Sequence, residues 1–265
     1  MTAGLMQGKR GLVMGVANDH SIAWGIAQAL AAQGAELAFT YQGEAFGKRV
    51  EPLAKSVGSD ILLPCDVEDI STVDAVFAAL KQKWGKIDFL VHAIAFSDKN
   101  ELKGKFADTS RENFTKTMVI SCFSFVEISK RAAAMMPDGG SIITLTYGGS
   151  TRVMPNYNVM GVAKAALESA VRYLAGDYGP QGIRVNAISA GPMRTLAGAG
   201  IGDARAMFNF QAAHAPLRRT ITLEEVGGAG LYLLSPLAGG VTGEIHYVDS
   251  GYNIISMPRP DELKA

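Results

Sequence analysis

The sequence predicts an α/β chain: a doubly wound parallel sheet of about seven strands with helices on both faces, in a single domain over residues 1–265. Three observations predict it. Short apolar runs alternate along the chain with longer stretches of helical period, the arrangement of strands joined by crossover helices. Apolar residues make up 48% and charged residues 19%, so a sizeable core can be buried. No internal repeat or low-complexity linker divides the chain.

The elements follow in order. Residues 11–14 are a short buried strand, after which Ile22, Ile26 and Leu30 recur every four residues on one helix face and Gly34 supplies a stop. Residues 36–41 read as the second strand and 61–63 as the third, with a helix over 71–84. Residues 89–91 are the fourth strand and 141–145 the fifth. Long helical patterns cover 111–135 and 157–177. A sixth strand at 183–188, a helix near 223–234 and a strand near 245–248 close the chain. The segment 195–214 is the least regular: Gly- and Ala-rich first, then Met207, Phe208 and Phe210. Glycine with exposed apolar residues suits a mobile flap over an apolar ligand, and equally an ordinary surface loop with a short helix.

Composition excludes several function classes. Lys plus Arg equals Asp plus Glu, 25 each, so nothing calls for nucleic acid or an anionic membrane as partner. Cys65 and Cys122 lack metal spacing and read as buried or neutral thiols of a reducing cytosol. His20, His92, His214 and His246 show no ligand spacing, so no metal site is expected. Residues 1–9 lack an apolar core of signal-peptide length, and no apolar run reaches the roughly 18–20 residues of a membrane span. The expected location is the cytoplasm.

The first candidate site lies at the strand ends. Gly15 follows the first strand, Ser21-Ile22-Ala23 opens the first helix, and Gly25 stands one turn in. This is not a regular G-x-G-x-x-G fingerprint. A glycine permits a tight turn and close approach to a ligand. Ser21 is a candidate helix cap, and the free N–H groups there can hold a pyrophosphate. The same arrangement also serves as plain architecture. Gln42, Asp66-Val67 and Ala93-Ile94-Ala95 follow the next three strands, where ligands of doubly wound sheets lie. Asp66 is placed to accept from an adenine amino group, and the two alanines let a cofactor pass over the backbone. After the second strand, Tyr41-Gln42-Gly43-Glu44 offers no cation for a 2′-phosphate. This favours NADH over NADPH, against which stand Lys48 and Arg49.

The second candidate site is Tyr157 with Lys164, seven residues apart. Seven residues turn a helix through about 700°, so both side chains share one face about 10 Å apart. A phenol near pKa 10 is a poor acid–base group unless a cation helps, and lysine supplies that field. Such a pair occurs by chance in many helices; its place after the fifth strand of a dinucleotide-type sheet is what favours catalysis.

Several runs together carry a family resemblance. They are Gly15 with Ser21-Ile22-Ala23 and Gly25-Ile26-Ala27, Thr40-Tyr41-Gln42, and His92-Ala93-Ile94-Ala95-Phe96. Tyr147, Pro155-Asn156-Tyr157-Asn158-Val159-Met160-Gly161, Ala163-Lys164, Arg184-Val185-Asn186, Ile188-Ser189-Ala190-Gly191-Pro192 and Arg194-Thr195-Leu196-Ala197 complete them. Over nearly its whole length the chain resembles the short-chain dehydrogenase/reductases. Within them it resembles the enoyl-acyl-carrier-protein reductases of bacterial type II fatty-acid synthesis. Ordinary members of the superfamily carry T-G-x-x-x-G-x-G at the first turn, N-N-A-G after the fourth strand and a catalytic Ser after the fifth. Here those places read Gly15 to Ser21, His92-Ala93-Ile94-Ala95 and Thr146-Tyr147, and the missing Ser weighs against plain carbonyl reduction. Ala95 stands where many enoyl reductases carry Gly, and Met193 where many carry Ile.

The resemblance implies a Rossmann-type fold, NADH as cofactor, and reduction of the 2,3 double bond of an enoyl thioester on acyl carrier protein. It implies Tyr157, Lys164 and Tyr147 as catalytic residues. The implied cofactor contacts are Gly15, Ser21, Ile22, Gln42, Asp66, Val67, Ile94, Lys164, Met193, Arg194, Thr195, Leu196 and Ala197. Acyl contacts fall to Ser97, Tyr147, Met160, Met207 and Phe208, the last two on a substrate flap over 195–214. Arg194, Arg205, Arg218 and Arg219 are the cations placed to meet an acidic carrier protein, or else solvated or structural arginines. Relatives commonly form homotetramers through the two long helices.

Overall fold

The structure, a computed structural model, describes residues 4–193, 195 and 204–257. Its strands are β1 (Arg10–Met14), β2 (Glu36–Tyr41), β3 (Ile61–Pro64), β4 (Phe89–His92), β5 (Gly140–Thr146), β6 (Ile183–Ala190) and β7 (Ile245–Val248). They form one seven-stranded sheet in the order β3-β2-β1-β4-β5-β6-β7, parallel throughout. The order reverses between β1 and β4, where Leu12 stands opposite Leu90 and Met14 opposite His92. A crevice opens at the carboxyl ends of strands at such a switch point.

Alternation along the strands divides the core in two. Leu12 and Met14 point to one side with Leu90 and Ile142, against Phe125, Ile128, Leu167 and Val171. Val13 points to the other with Phe89, Val91 and Ile143, against Ile26, Leu30, Val50 and Val226. Each fully buried Phe or Leu contributes roughly 1.5–3 kcal/mol, so both faces must stay covered. The first face carries α3 (Ile70–Trp84), α5 (Ser124–Ala133) and α6 (Asn158–Tyr178); the second carries α1 (Ile22–Ala32), α2 (Gly43–Ser56) and α8 (Leu223–Leu234). Between them in sequence lie α4 (Arg111–Met118) and α7 (Ala204–His214).

Two elements depart from the sequence expectation. Helix α2 forms over a stretch with Gly47 and Pro52 inside it, both poor helix formers. Burial of Gly47, Val50 and Ala54 against the sheet overrides that local preference. The expected helix over 111–135 is not continuous: Val119–Phe123 widens into a π-turn between α4 and α5. Such turns collect at functional sites, and this one supplies Ser121, whose hydroxyl donates to Phe96 O (3.0 Å) and accepts from Phe96 N (2.9 Å). The loop after β4 is thereby held against the helix.

Helices α1 and α8 approach closely enough to require glycine. A Cβ on Gly227 would lie 2.6 Å from the Gly25 carbonyl oxygen, and one on Gly230 2.8 Å from Ile26 Cγ1. The first clash is with backbone, so no rotamer change relieves it. We expect Gly227→Ala to destabilise the fold by about 2 kcal/mol, overpacking of about 3 kcal/mol exceeding the gain in helix propensity of about 1. Denaturant unfolding measures this, and an unchanged midpoint would contradict the packing described.

Candidate active site

At the switch point, Gly15 leaves β1 with φ of +96°, and a Cβ there would lie 2.0 Å from Ala93 O. The glycine is therefore required by the neighbouring β4 loop as much as by any ligand. Ser21 occupies the N-cap position of α1, yet its hydroxyl does not cap the helix as expected. It accepts instead from Ala17 N (3.0 Å) and Asn18 N (3.1 Å), bracing the loop after β1. Among the described residues the Ile22 and Ala23 N–H groups at the start of α1 carry no hydrogen bond, which suits an anion at that helix end.

Gln42 and Asp66 come together at the next two strand ends, Gln42 Nε2 donating to Asp66 Oδ2 (3.1 Å), while Asp66 Oδ1 accepts from Glu68 N (3.0 Å). A carboxylate has lone pairs for a further donor. Val67 and Ile94 are half-buried beside them. After β6, Thr195 N donates to Met193 O (2.8 Å). Arg194, Leu196 and Ala197 lie outside the described residues. The candidate cofactor residues that are described thus line one edge of one sheet, with a glycine turn, free helix N–H groups and small side chains. They fit an extended dinucleotide.

The catalytic candidates meet at the end of β5. Tyr157 and Lys164 are 8% and 6% exposed, so neither is turned to solvent. Tyr157 is not within the helix proper. It sits at the N-cap of α6, between Asn156 (φ +57°) and Asn158 (φ +35°), and asparagine is among the side chains that tolerate such angles. Asn158 Nδ2 donates to Gly104 O (3.2 Å), tying this turn to the loop before α4. The Tyr157 ring lies on Gly149, where a Cβ would come within 2.5 Å of Cδ1. Tyr147 packs edge-on to it, with ring centroids 5.2 Å apart. Met160 joins the same apolar cluster. Lys164 Nζ donates to Leu145 O (2.8 Å).

Electrostatics departs from the expectation that lysine makes the phenol a better acid. Burial pushes the Tyr157 hydroxyl well above the usual phenol range, with Tyr147 and Glu168 adding to it. Burial likewise pushes Tyr147 up to about 12. Lys164 is pulled down to about 8 by burial, opposed by Cys122 and Glu168. Tyr157 therefore stays protonated near neutrality, which suits a hydrogen-bond donor rather than a proton source. Its hydroxyl has no hydrogen-bond partner among the described residues.

Ser97 is tied down: its hydroxyl accepts from Thr117 Oγ1 (2.9 Å) and pairs with the Asn113 amide, anchoring the β4 loop on α4. Met207 and Phe208 are half-buried on α7. Of the arginines, Arg219 makes a two-pronged ion pair with Glu225 (2.6 and 2.8 Å), and Arg218 donates to Ala213 O. Arg205 is exposed on α7. Glu168 carries no motif, but its place four residues after Lys164 on a helix puts the two on one face.

The sequence profile described as Enoyl-(Acyl carrier protein) reductase matches residues 15–253. The chain belongs to this reductase family. It is 75% identical to a protein of Rhizobium meliloti named enoyl-[acyl-carrier-protein] reductase [NADH] 2, over 98% of this chain and 97% of that one. It superposes on the crystal structure of FabI from Candidatus Liberibacter asiaticus with a TM-score of 0.95 and 60% identity, covering 97% of this chain and all (100%) of the other. The enoyl-acyl-carrier-protein reductase of Anaplasma phagocytophilum, solved in complex with NAD, gives 0.94 and 56%, covering 97% and 98%. No described helix of this family member is long and apolar enough to cross a membrane.

One buried group of this reductase fold has a consequence for pH. His92 is wholly buried at the end of β4. Ser124 donates to Ile120 O (2.6 Å), so its oxygen accepts from His92 Nε2 (3.0 Å), and Nδ1 accepts from Thr144 Oγ1 (3.2 Å). The ring is neutral; burial and the Lys164 charge pull it down to about 3 from 6.5. The unfolded chain takes up this proton first, so the stability held above pH 6.5 is lost as pH falls from there toward 3. We expect His92→Gln to flatten the acid side of the stability profile by about 1 kcal/mol per pH unit. Parallel profiles for parent and variant in urea unfolding would assign the acid sensitivity elsewhere.

Proposed function

We propose that the chain catalyses the NADH-dependent reduction of the 2,3 double bond of trans-2-enoyl thioesters on acyl carrier protein, in bacterial fatty-acid elongation. One observation carries this reading: in a chain of this family, a protonated Tyr157 with no hydrogen-bond partner among the described residues packs on Tyr147 at the strand-end crevice, where the buried Lys164 donates to Leu145 O. Bound NADH supplies the hydride for the β-carbon of the substrate. Gly15, the start of α1 at Ser21-Ile22, Gln42, Asp66-Val67, Ile94, Lys164, Met193 and Thr195 would hold it, joined by Arg194, Leu196 and Ala197. The Gln42–Asp66 pair and Glu44 in the first turn of α2 offer nothing to a 2′-phosphate, which supports NADH.

The chain's own residues act on the thioester. Negative charge gathers on its oxygen as the double bond is reduced, and Tyr157 donates a hydrogen bond to that enolate. A donor of this kind is worth about 3–4 kcal/mol. The high phenol pKa keeps the donor proton in place. Lys164 holds the nicotinamide ribose and supports Tyr157, and Tyr147 lines the acyl pocket. Ser97, Met160, Met207 and Phe208 contribute to that pocket of a single catalytic domain, the last two from α7; residues 196–203 of the expected flap over 195–214 lie outside the described residues. Arg205 serves the acidic carrier protein; Arg218 and Arg219 are engaged within the fold. Exposed apolar side chains on the long helical segments, Phe114, Phe123, Val162 and Tyr173, support a homotetramer built on those helices. A cytoplasmic location accords with this substrate.

The test follows NADH consumption with crotonyl or longer enoyl thioesters and with the matching 3-ketoacyl thioesters. Consumption with enoyl substrates is expected; consumption with ketoacyl substrates alone overturns the proposal. Tyr157→Phe is expected to lower kcat about 10²–10³-fold with NADH binding retained in a fluorescence titration. Equal turnover would remove Tyr157 from the mechanism.

A further inference from the structure

The mechanism above gives the buried carboxylate of α6 no task. Glu168 is 5% exposed, on the face of α6 turned to the sheet. Its Oε1 accepts from Thr146 Oγ1 at 2.7 Å, and Thr146 is itself 4% exposed. A carboxylate buried at this depth is costly, and an apolar side chain of similar size would fill the space more cheaply. Its surroundings indicate why it is there. Leu145, Thr146 and Tyr147 are consecutive: Leu145 O accepts from Lys164, Thr146 donates to Glu168, and Tyr147 packs on Tyr157. Two hydrogen bonds one helical turn apart, one buried and one partly so, therefore fasten the end of β5 to α6, immediately before the residue that faces Tyr157.

Resting on the function proposed above, we infer that Glu168 is a positioning residue: its grip on Thr146 holds the end of β5 against α6 and fixes Tyr147 and Lys164 relative to Tyr157. The carboxylate also acts through charge. Lys164 is faced by Cys122 from the π-turn, His92 from β4 and Glu168 from its own helix. Glu168 is faced by Thr146 from β5, and by Lys164 and Tyr157 at the start of α6. Of these groups, the carboxylate is the one that both favours a charged Lys164 and disfavours an ionised Tyr157.

The experiment uses the full-length chain with Glu168→Gln, which keeps an acceptor for Thr146 but removes the charge, and with Thr146→Val and Thr146→Ser. NADH binding is titrated by fluorescence across pH, independently of turnover. In the parent, affinity falls as pH rises through about 8, where Lys164 loses its proton. In Glu168→Gln that midpoint moves down by about one pH unit, and kcat falls about tenfold with KM for the enoyl thioester little changed. Thr146→Val lowers kcat by a similar factor without lowering the midpoint, and Thr146→Ser restores it. A Glu168→Gln protein with the parent's midpoint and kcat overturns the inference. If that variant does not fold, the threonine pair decides: equal kcat for Thr146→Val and Thr146→Ser overturns it. Should the parent reduce no enoyl thioester, the functional reading fails by itself, while the NADH midpoint still reports on Glu168.

Discussion

A lysine ammonium taken out of water must find its hydrogen bonds inside the protein, and this constraint organises the site. Lys164 lies under the end of β5 and donates to Leu145 O. That bond, with Thr146 on Glu168 beside it, joins the strand that ends at Tyr147 to the helix that begins at Tyr157. Strand and helix are each held by their own apolar face, Ile142 and Leu167 packing in one core. The polar contacts therefore set alignment rather than overall stability.

The rest of the crevice is built by close approach. Gly15 against Ala93 O brings the loops after β1 and β4 into contact where the strand order reverses. The β4 loop is then fastened twice, by Ser121 on the backbone of Phe96 and by Ser97 on Asn113 and Thr117. Gly149 does the same for the β5 loop by letting the Tyr157 ring lie on its backbone. Rigid strand ends carrying small residues leave a groove whose walls are set before any ligand arrives, which lowers the ordering cost of binding.

Burial sets the division of labour among the titratable groups. The same low dielectric that pulls Lys164 down to about 8 raises both tyrosines and keeps His92 neutral. A phenol in that setting keeps its proton at neutral pH, while the lysine there is still largely charged.

By itself the sequence determined the sheet, its seven strands and nearly all its helices, because apolar runs and helical periods reflect burial on two faces. It also singled out Tyr157 and Lys164 as candidates at the start of one helix, where Tyr157 lies at the cap and Lys164 inside α6. Local reading failed where tertiary contacts overrule local preference. Helix α2 forms around Gly47 and Pro52 because the sheet buries one side of it. The π-turn at Val119–Phe123 has no signature in hydrophobic period. Ser21 turns from the helix it precedes to the loop behind it, and Glu168 lies 22 residues from its hydrogen-bond partner. Only the folded chain decides such matters, since hydrogen-bond partners and dielectric surroundings depend on segments that are distant in sequence and adjacent in space.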